Sequence, residues 1–563
     1  MTKTRDLADL GGGFIQSGTG AVQRTVESKL QDMVSVKDFG AVGDGVADDT
    51  AAIQAAINYV ATKGTVVASK SGIGGTVFVP SGTYKVSSQL TIKTSGIVIV
   101  GEGPTCSALL LADETEDLLV FSSDTAFTGG VSGRLGGVGV KDLRLHINNS
   151  SITAARTCVG ITFDRCGTGS FVQNCYIQNF NRGLLLKACE KGNFYSNLNI
   201  TSGSGSATGP IADSAGIVIT TREVASTDAL GTLDPTDGLY YAQCTSQYLS
   251  DIQMSDNNWG FKDGLVVNGI DGLYITNCHF GFATNAIIHA YGLHPNQPIL
   301  NTHIVGVFAD DSNTLGAGLE QTNYGILIND PLSKNTAIAD FTFTGGEING
   351  CELAGIYLDS PGLKRFTVNS TRITGAKVNS IQVLQGEDLL FDSLAVQNNT
   401  PATGSYTLIQ GGTNVAFSNI SCSGGAAKGF NVQSGTDLSF TNCRCYDATA
   451  DSFIVGGTLT NPRFTNCRSD RSNTVASDST IILNPEFSTF YITGTTNILN
   501  IDSGGVSSGA WAEREVTLIF DDALTVQQSG GNMGLRSDFV TTAGSALTLV
   551  YVNGAWREKS RIA

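Results

Sequence analysis

The hexapeptide FTNCRC, residues 440–445, is the part of the sequence that best indicates the fold, because variants of it recur along most of the chain. Apolar residues are favoured at positions one, four and six, and asparagine is frequent at position three. Eight of the ten intervals between successive copies are 23 to 26 residues long, and the two longer ones, 54 and 44 residues, predict inserted loops. The eleven copies are VQNCYI (172–177), YSNLNI (195–200), LSDIQM (249–254), ITNCHF (275–280), ILNTHI (299–304), FTGGEI (343–348), VNSTRI (368–373), FDSLAV (391–396), FSNISC (417–422), FTNCRC (440–445) and FTNCRS (464–469).

A period of about two dozen residues is typical of stacked-repeat proteins, in which each repeat packs on its neighbours. The copies are rich in valine, isoleucine, phenylalanine and threonine and are bounded by glycine, asparagine and serine, which favours short strands over helix pairs. Leucine-rich repeats have a similar period but need leucine at fixed spacings, which this chain lacks. We therefore predict an all-β chain: a single-stranded right-handed parallel β-helix with about three strands per coil and roughly 4.8 Å between coils.

This coil assigns a direction to each position of the repeat. Positions one, four and six point inward, and positions two and five point to solvent. Position three lies at a bend, where asparagine tolerates unusual backbone angles and its amide can bond to the next asparagine in the stack. The predicted ladder is interrupted at Asp251, Gly345, Ser370 and Ser393, and its members are Asn174, Asn197, Asn277, Asn301, Asn419, Asn442 and Asn466.

Half of the twelve cysteines fall at inward positions of the repeat. A buried cysteine behaves as a small apolar residue, and no paired CxxC motifs indicate a zinc site. The sequence therefore predicts reduced core thiols rather than a disulfide framework at Cys175, Cys278, Cys422, Cys443, Cys445 and Cys467.

The composition excludes several classes of protein. A net charge of −16 argues against a nucleic-acid partner. The first residues lack the apolar core of a secretory signal, and no apolar run of 18 residues occurs, so no membrane insertion is predicted. We also predict no cofactor and no metal, since the stretch GDGVADD (43–49) lacks the glutamate and the ligand spacing of an EF-hand.

The chain divides into four predicted segments. Ahead of the coils, Asp48 or Asp49 is the predicted N-cap of a helix that would cover the open end of the β-helix with one apolar stripe of Ile53, Ala56, Ile57 and Val60. The segments are a short N-terminal anchor (1–33), the cap with the first coils (34–125), the β-helix with loop insertions at 201–240 and 308–336 (126–475), and a C-terminal β-rich module (476–563).

The outward column at position five contains the candidate catalytic residues. If the copies are in register, His279 and His303 lie on adjacent coils, followed by Glu347 and Arg372. Glycoside hydrolysis needs a proton donor and a second carboxylate, whereas β-elimination needs a base and a cation. Both reactions fit: hydrolysis by Glu347 with Glu352 or Asp263 as the second carboxylate, or elimination with His279 or His303 as the base and Arg372 as the cation. A polar surface column without function, or a site between chains, also fits.

Two stretches resemble known families. DFGAVGDGVADDTAAIQAAI (38–57) resembles the N-terminal signature of the pectate-lyase-like β-helix superfamily, and the preceding GTGAVQRTVESKLQDMVSVK (18–37) resembles phage tailspikes that depolymerise bacterial capsules. VTLIFDDALTV (516–526) with MGLRSDFVTTAGSALTLVYVNGAWREKSR (533–561) resembles the C-terminal β-rich module of tailspikes. Asp263 and Glu352 precede strands at positions similar to those of the catalytic aspartates of polygalacturonases, although the NTD and DD signatures of that group are absent.

The resemblance implies a tailspike that binds and endo-cleaves capsular or exopolysaccharide as a hydrolase or a lyase. It implies a homotrimer, attachment to another phage tail protein through the N-terminus, and a location on the virion tail, with synthesis in the host cytoplasm and action outside the cell. The alternatives are a non-catalytic glycan-binding adhesin and a secreted pectin-degrading enzyme.

Overall fold

The computed structural model consists almost entirely of β-strands. The chain divides into two compact units, residues 1–233 with 237–261 and residues 234–236 with 262–563. No helix in the described part of the chain is long and apolar enough to cross a membrane. The structure describes residues 13–63, 74–122, 134–147, 156–202, 213–226, 228, 231–255, 261–281, 283–310, 322–397, 404–424, 428–446, 453–469, 473–483, 487–502 and 514–563.

The first unit opens with small elements and a capping helix and continues as parallel coils. The predicted insertion after residue 201 contains three short strands that form an antiparallel sheet of their own. The elements are β1 (Gly13–Phe14), β2 (Arg24–Thr25), α1 (Val26–Leu30), β3 (Val34–Ser35), a 3-10 helix (Val36–Phe39), β4 (Asp44–Asp48), α2 (Thr50–Lys63), β5 (Thr76–Val79), β6 (Gly82–Val86), β7 (Leu90–Ile92), β8 (Val98–Gly101), β9 (Ser107–Leu111), β10 (Leu119–Ser122), β11 (Gly139–Ile147), β12 (Val159–Asp164), β13 (Phe171–Gln178), β14 (Arg182–Lys187), β15 (Asn193–Thr201), β16 (Ala215–Thr220), β17 (Arg222–Val224), β18 (Thr232–Leu233), β19 (Tyr240–Ala242) and β20 (Cys244–Ser255).

Helix α2 confirms the predicted cap. The Asp49 carbonyl accepts a hydrogen bond from the Ile53 N–H at 3.0 Å, so Asp49 is the N-cap residue. Its carboxylate accepts from the N–H groups of Val42 and Gly43 at 2.6 and 3.0 Å and anchors the preceding loop. The buried face of the helix is the predicted stripe of Ile53, Ala56, Ile57 and Val60.

The second unit stacks its coils into three parallel sheets. The first sheet contains β22 (Ile270–Thr276), the first part of β25 (Ile299–Asp310) and of β27 (Ile338–Asn349), β29 (Leu363–Asn369), β32 (Glu387–Asp392), β35 (Thr413–Ser418), β38 (Ser439–Thr441) and β41 (Arg463–Thr465). The second sheet contains β23 (His279–Gly281), the last part of β25 and of β27, β30 (Arg372–Thr374), β33 (Ala395–Gln397), β36 (Ser421–Ser423), β39 (Arg444–Cys445) and β42 (Arg468–Ser469). The third sheet contains β21 (Phe261–Val267), β24 (Ala283–Ala290), β26 (Tyr324–Asn329), β28 (Ala354–Asp359), β31 (Asn379–Val383), β34 (Ser405–Ile409), β37 (Lys428–Thr436) and β40 (Phe453–Thr460).

The C-terminal strands surround a separate hydrophobic core in which Trp556 is buried. The other tryptophan of this segment, Trp511, lies outside the described residues. The strands are β43 (Thr474–Ala476), β44 (Thr480–Ile482), β45 (Thr489–Thr493), β46 (Asn500–Asp502), β47 (Glu515–Phe520), β48 (Thr525–Val526), β49 (Met533–Gly534), β50 (Phe539–Val540), β51 (Ala546–Val552) and β52 (Ala555–Ile562).

The bends occur at position three as the repeat predicts, but one member of the predicted ladder is misplaced: Asn301 lies beside Gly272 rather than Asn277, and its amide donates to Asp271 Oδ1 at 2.7 Å. The residue at position three of all eleven copies has a positive φ, between 51° and 67°. The amide of Asn197 donates to Asn174 at 3.0 Å, and Asn442 and Asn466 continue a second stretch of the ladder above Asn419 at 3.1 and 2.7 Å. The bends therefore combine a left-handed backbone with amide bonds between coils.

For the copy at Ile299 the sequence predicts the wrong column. His303 pairs in register with Tyr274 and Thr342 of the first sheet, whereas His279 pairs with Phe308, which in turn pairs with Glu347 in the second sheet. The coil bends twice, at Asn301 and again at Gly306, and both residues have positive φ. Each of these bends is followed by a similar alternation of inward apolar and outward side chains. The hexapeptide pattern alone therefore does not show which of the two bends corresponds to the bend at Asn277.

The predicted core thiols are confirmed. All twelve cysteines are free, and ten of them are buried. Of those at inward repeat positions, Cys278 is 2% exposed, Cys443 is fully buried, and Cys467, in the last copy, is partly exposed. Burial raises the pKa of the Cys175 thiol to about 12, so this thiol is neutral and unreactive.

Candidate active site

The second sheet of the second unit presents an outward column that brings three of the predicted residues together. His279, Glu347 and Arg372 stand in this column, with Phe308 between the histidine and the glutamate. Above Arg372 the column continues with Ala395, Ser421 and Arg444. Two residues further along each strand, a parallel column contains Gly281, Asp310, Asn349, Thr374 and Gln397.

Polar contacts join the two columns on consecutive coils. His279 Nε2 lies 3.9 Å from Asp310 Oδ2, and the Asn349 amide donates to Asp310 Oδ1 at 3.1 Å. The Thr374 hydroxyl lies 2.9 Å from Asn349 Oδ1 and 3.1 Å from Glu347 Oε1, so one proton serves two acceptors. The carboxylates of Asp310 and Glu347 are thus each oriented by a neutral donor on the next coil, the Asn349 amide and the Thr374 hydroxyl.

Arg372 adds a positive charge at the upper end of the group. Its Nε lies 4.0 Å from Glu347 Oε1, and one terminal nitrogen donates to Gln397 Oε1 at 3.2 Å. The arginine side chain is 56% exposed, so its attraction to Glu347 is screened by water and adds at most about 1 kcal/mol to stability. The guanidinium is open to an anionic group of a bound ligand.

Asp310 is the member of this group that sequence reasoning missed. The interval from residue 308 to 336 was assigned to an inserted loop, but β25 continues to Asp310 before the residues 311–321 that lie outside the described part. Read as IVGVFA (304–309), the repeat places Phe308 at position five and Asp310 two residues later, beside Asn349. Starting this copy of the repeat at Ile304 instead of Ile299 would therefore have placed Asp310 next to the column of Glu347.

His303 belongs to the first sheet instead. Its ring stacks on Tyr274, with centroids 5.4 Å apart, and its Nδ1 lies 2.9 Å from Thr342 Oγ1. The predicted pairing of His279 with His303 on one column is therefore wrong.

Asp263 and Glu352 have partners of their own. Asp263, on β21 of the third sheet, is buried; its Oδ1 accepts from the Asn285 amide at 2.7 Å and lies 3.3 Å from His289 Nδ1. Glu352 forms an ion pair with Lys377. The structure thus brings Asp263 into a buried group on the third sheet and not into the column of Glu347.

Family comparisons agree with the fold. The family described as "Rhamnogalacturonase A/epimerase, pectate lyase-like" matches residues 33–209, and the one described as "Right handed beta helix region" matches residues 354–501. Each match covers less than half of the chain. Together with the parallel strand pairings, they show that the chain contains a right-handed β-helix.

Among curated proteins, the mannuronan C5-epimerase AlgE5 of Azotobacter vinelandii is 41% identical over 128 residues, 21% of this chain and 11% of that relative. Alginate lyase 7 of the same organism is 46% identical over 92 residues, 15% of this chain and 10% of that relative. A longer match, 24% identical over 379 residues, covers 58% of this chain and 51% of the plasmin and fibronectin-binding protein A of Streptococcus pneumoniae. The chain thus spans about a tenth of the length of the first two relatives and about half of the third.

Among solved structures, the tailspike protein of E. coli bacteriophage HK620, in complex with a pentasaccharide, is 12% identical with a TM-score of 0.45, over 93% of this chain and 87% of that one. The A-module of AlgE4 from A. vinelandii is 16% identical with a TM-score of 0.44, over 77% of this chain and 96% of that one.

Proposed function

We propose that the chain is a phage tailspike that binds a bacterial capsular or exopolysaccharide and cleaves it internally. The observation that carries the proposal is the column of His279, Glu347 and Arg372 with Asp310 beside it, which gathers two carboxylates, an imidazole and a cation on four consecutive coils. The resemblance of both chain ends to tailspikes and the similarity to polysaccharide-modifying relatives support the same class of substrate.

Hydrolysis is the reaction that this geometry favours. Glu347 acts as the base that takes a proton from the attacking water, and the His279–Asp310 pair supplies the proton that the leaving glycosidic oxygen accepts. Asp310 lies one coil and two residues away from Glu347, which puts their Cα atoms roughly 8 Å apart. If the two carboxyl groups keep a similar separation, a water fits between them and inversion at the anomeric carbon is expected.

Elimination is the weaker alternative. It would need a base near a uronate, with Arg372 holding the developing charge. One of the two predicted bases, His303, stands on the first sheet, so His279 alone remains for this role. A binding-only adhesin is the second alternative, favoured by the long match to a protein named for binding plasmin and fibronectin.

The activity is tested with purified capsular and exopolysaccharides from a panel of bacterial strains. New reducing ends without unsaturated uronates identify a hydrolase, unsaturated products identify a lyase, and binding without cleavage identifies an adhesin. Glu347→Gln should lower kcat at least a hundredfold while binding persists. Glu387→Gln, an exposed carboxylate of the first sheet paired with Lys364, is the matched control and should leave kcat unchanged. Equal activity of the two variants would exclude Glu347 as the base.

The assembly is proposed on the same resemblance. We expect a homotrimer that docks to another tail protein through its N-terminal residues and acts on the virion outside the cell. Light scattering should give about three times the chain mass of 58.8 kDa. A monomer would refute the trimer and would favour the secreted pectin-degrading alternative.

A further inference from the structure

Phe308 is an exposed aromatic residue in the middle of the proposed catalytic column. The side chain is 51% exposed, directly in register with His279 below and Glu347 above. The corresponding residues on the other described coils of the second unit are charged, polar or small: His279, Glu347, Arg372, Ala395, Ser421 and Arg444.

The phenyl ring of Phe308 does not pack in the hydrophobic core of the coil. Position five points outward, and the inward positions on either side are filled by Val307 and Ala309, both fully buried. The ring of His279 meets Phe308 only edge-on, with centroids 6.4 Å apart and planes at 73°. Phe308 therefore presents a large apolar surface to solvent directly between His279 and Glu347, where a bound ligand would contact it.

A second apolar side chain extends the surface across the bend. Val305 is 48% exposed and precedes Gly306, whose φ is 63°. A Cβ added at Gly306 would have no atom within 4 Å, so the space above the bend is open. We call Val305 and Phe308, the exposed apolar residues on the two sides of the bend at Gly306, the apolar ridge; its member Phe308 is in register with Glu347. Binding sites commonly combine an apolar wall with a few oriented polar groups.

We propose that this ridge is the platform for the sugar ring next to the bond that is cleaved, and that the ring is a pyranose with axial C–H groups on one face. The inference rests on the proposed function. If Glu347 and the His279–Asp310 pair act on opposite sides of one glycosidic bond, the adjoining sugar lies across the coil between them, over Phe308. A phenyl ring offers no hydrogen bond, so it favours a C–H face and disfavours open-chain polyol phosphates.

The test compares Phe308 with Phe194, a phenylalanine of similar exposure outside the proposed site. Phe308→Ala should raise KM roughly tenfold with kcat changed less than about twofold, since it removes one aromatic contact made equally in substrate and transition state. Phe308→Trp should restore KM. Phe194→Ala, a 53% exposed phenylalanine of the first unit, should change neither constant. Thermal melting of all three variants reports whether they are folded.

The same variants are compared for binding in a Glu347→Gln background, using the polysaccharide that the wild-type chain binds. An unchanged Kd and KM for Phe308→Ala would overturn the platform while leaving the enzyme intact. Binding without cleavage by the wild-type chain would overturn the enzyme, and the Kd comparison would still decide the platform. A chain that binds no member of the panel would overturn both.

Discussion

Replacing Phe417 by alanine should test the register of the second unit. The rings of Phe391, Phe417, Phe440 and Phe464 stack at centroid distances of 4.6, 5.3 and 4.8 Å with planes within 6° of parallel. Phe417 is 1% exposed and also meets Phe430 edge-on at 6.0 Å. The substitution therefore opens a cavity and removes two stacked contacts and one edge contact.

The expected loss in the free energy of unfolding is about 4–5 kcal/mol. Truncation of a buried phenylalanine to alanine costs about 3–5 kcal/mol, and each aromatic pair adds roughly 0.5–1.5 kcal/mol beyond the area it buries. The value for Phe417 belongs at the upper end, because three ring contacts disappear together.

The assay is guanidinium unfolding followed by circular dichroism, with a double-mutant cycle between Phe391→Ala and Phe417→Ala. We expect a coupling of about 1 kcal/mol, because the two rings are in direct contact. Phe194→Ala, at an exposed ring, should cost less than about 1 kcal/mol. A loss below about 2 kcal/mol for Phe417→Ala, together with no coupling, would mean that these rings are not stacked and that the repeat is out of register.

Three further predictions follow from single contacts. His279→Ala should lower kcat about a hundredfold and His303→Ala less than about twofold in the depolymerisation assay; the reverse order would restore the rejected alignment. Gly346→Ala would place a Cβ 2.1 Å from the Val307 carbonyl oxygen at a φ of 91° and should cost at least about 2 kcal/mol, whereas Gly306→Ala, with open space around it, should cost about 1 kcal/mol in the same guanidinium titration. Burial raises the pKa of Asp234, but hydrogen bonds from Thr236 and His294 outweigh it and lower that pKa to about 2. Because the pKa of this carboxyl is lower in the folded chain than in the unfolded chain, Asp234→Asn should reduce stability at pH 7, and the difference should shrink as the pH falls from about 4 to below 2; an undiminished difference at pH 2 would contradict this.

Much of the coil is predictable from local chemistry. Every residue at position three adopts the left-handed backbone, and Cys278 and Cys443 face the core as their positions require. The apolar stripe of α2 is predictable for the same reason, because a helix places residues three and four apart on one face. These features depend on neighbours in sequence, which the amino-acid order specifies.

The candidate site is predictable only in part. Glu347 and Arg372 stand on one column as expected, since their copies of the repeat are unambiguous. His303 was misplaced and Asp310 overlooked, because in that coil Asn301 and Gly306 offer two bends with similar flanking patterns. Starting the repeat at Ile299 or five residues later at Ile304 places apolar residues at the inward positions in both cases. Hydrophobic periodicity therefore does not distinguish the two registers.

The order of amino acids is sufficient to predict a parallel β-helix, most of its bends and most of the side chains that its coils bury. Which bend of one coil lies above which bend of the next is seen only in the folded chain, where Phe308 and Asp310, not His303, lie beside Glu347. The physical reason is that hydrogen bonds between coils join residues more than twenty positions apart, and these long-range pairings choose between two local registers of similar hydrophobic pattern.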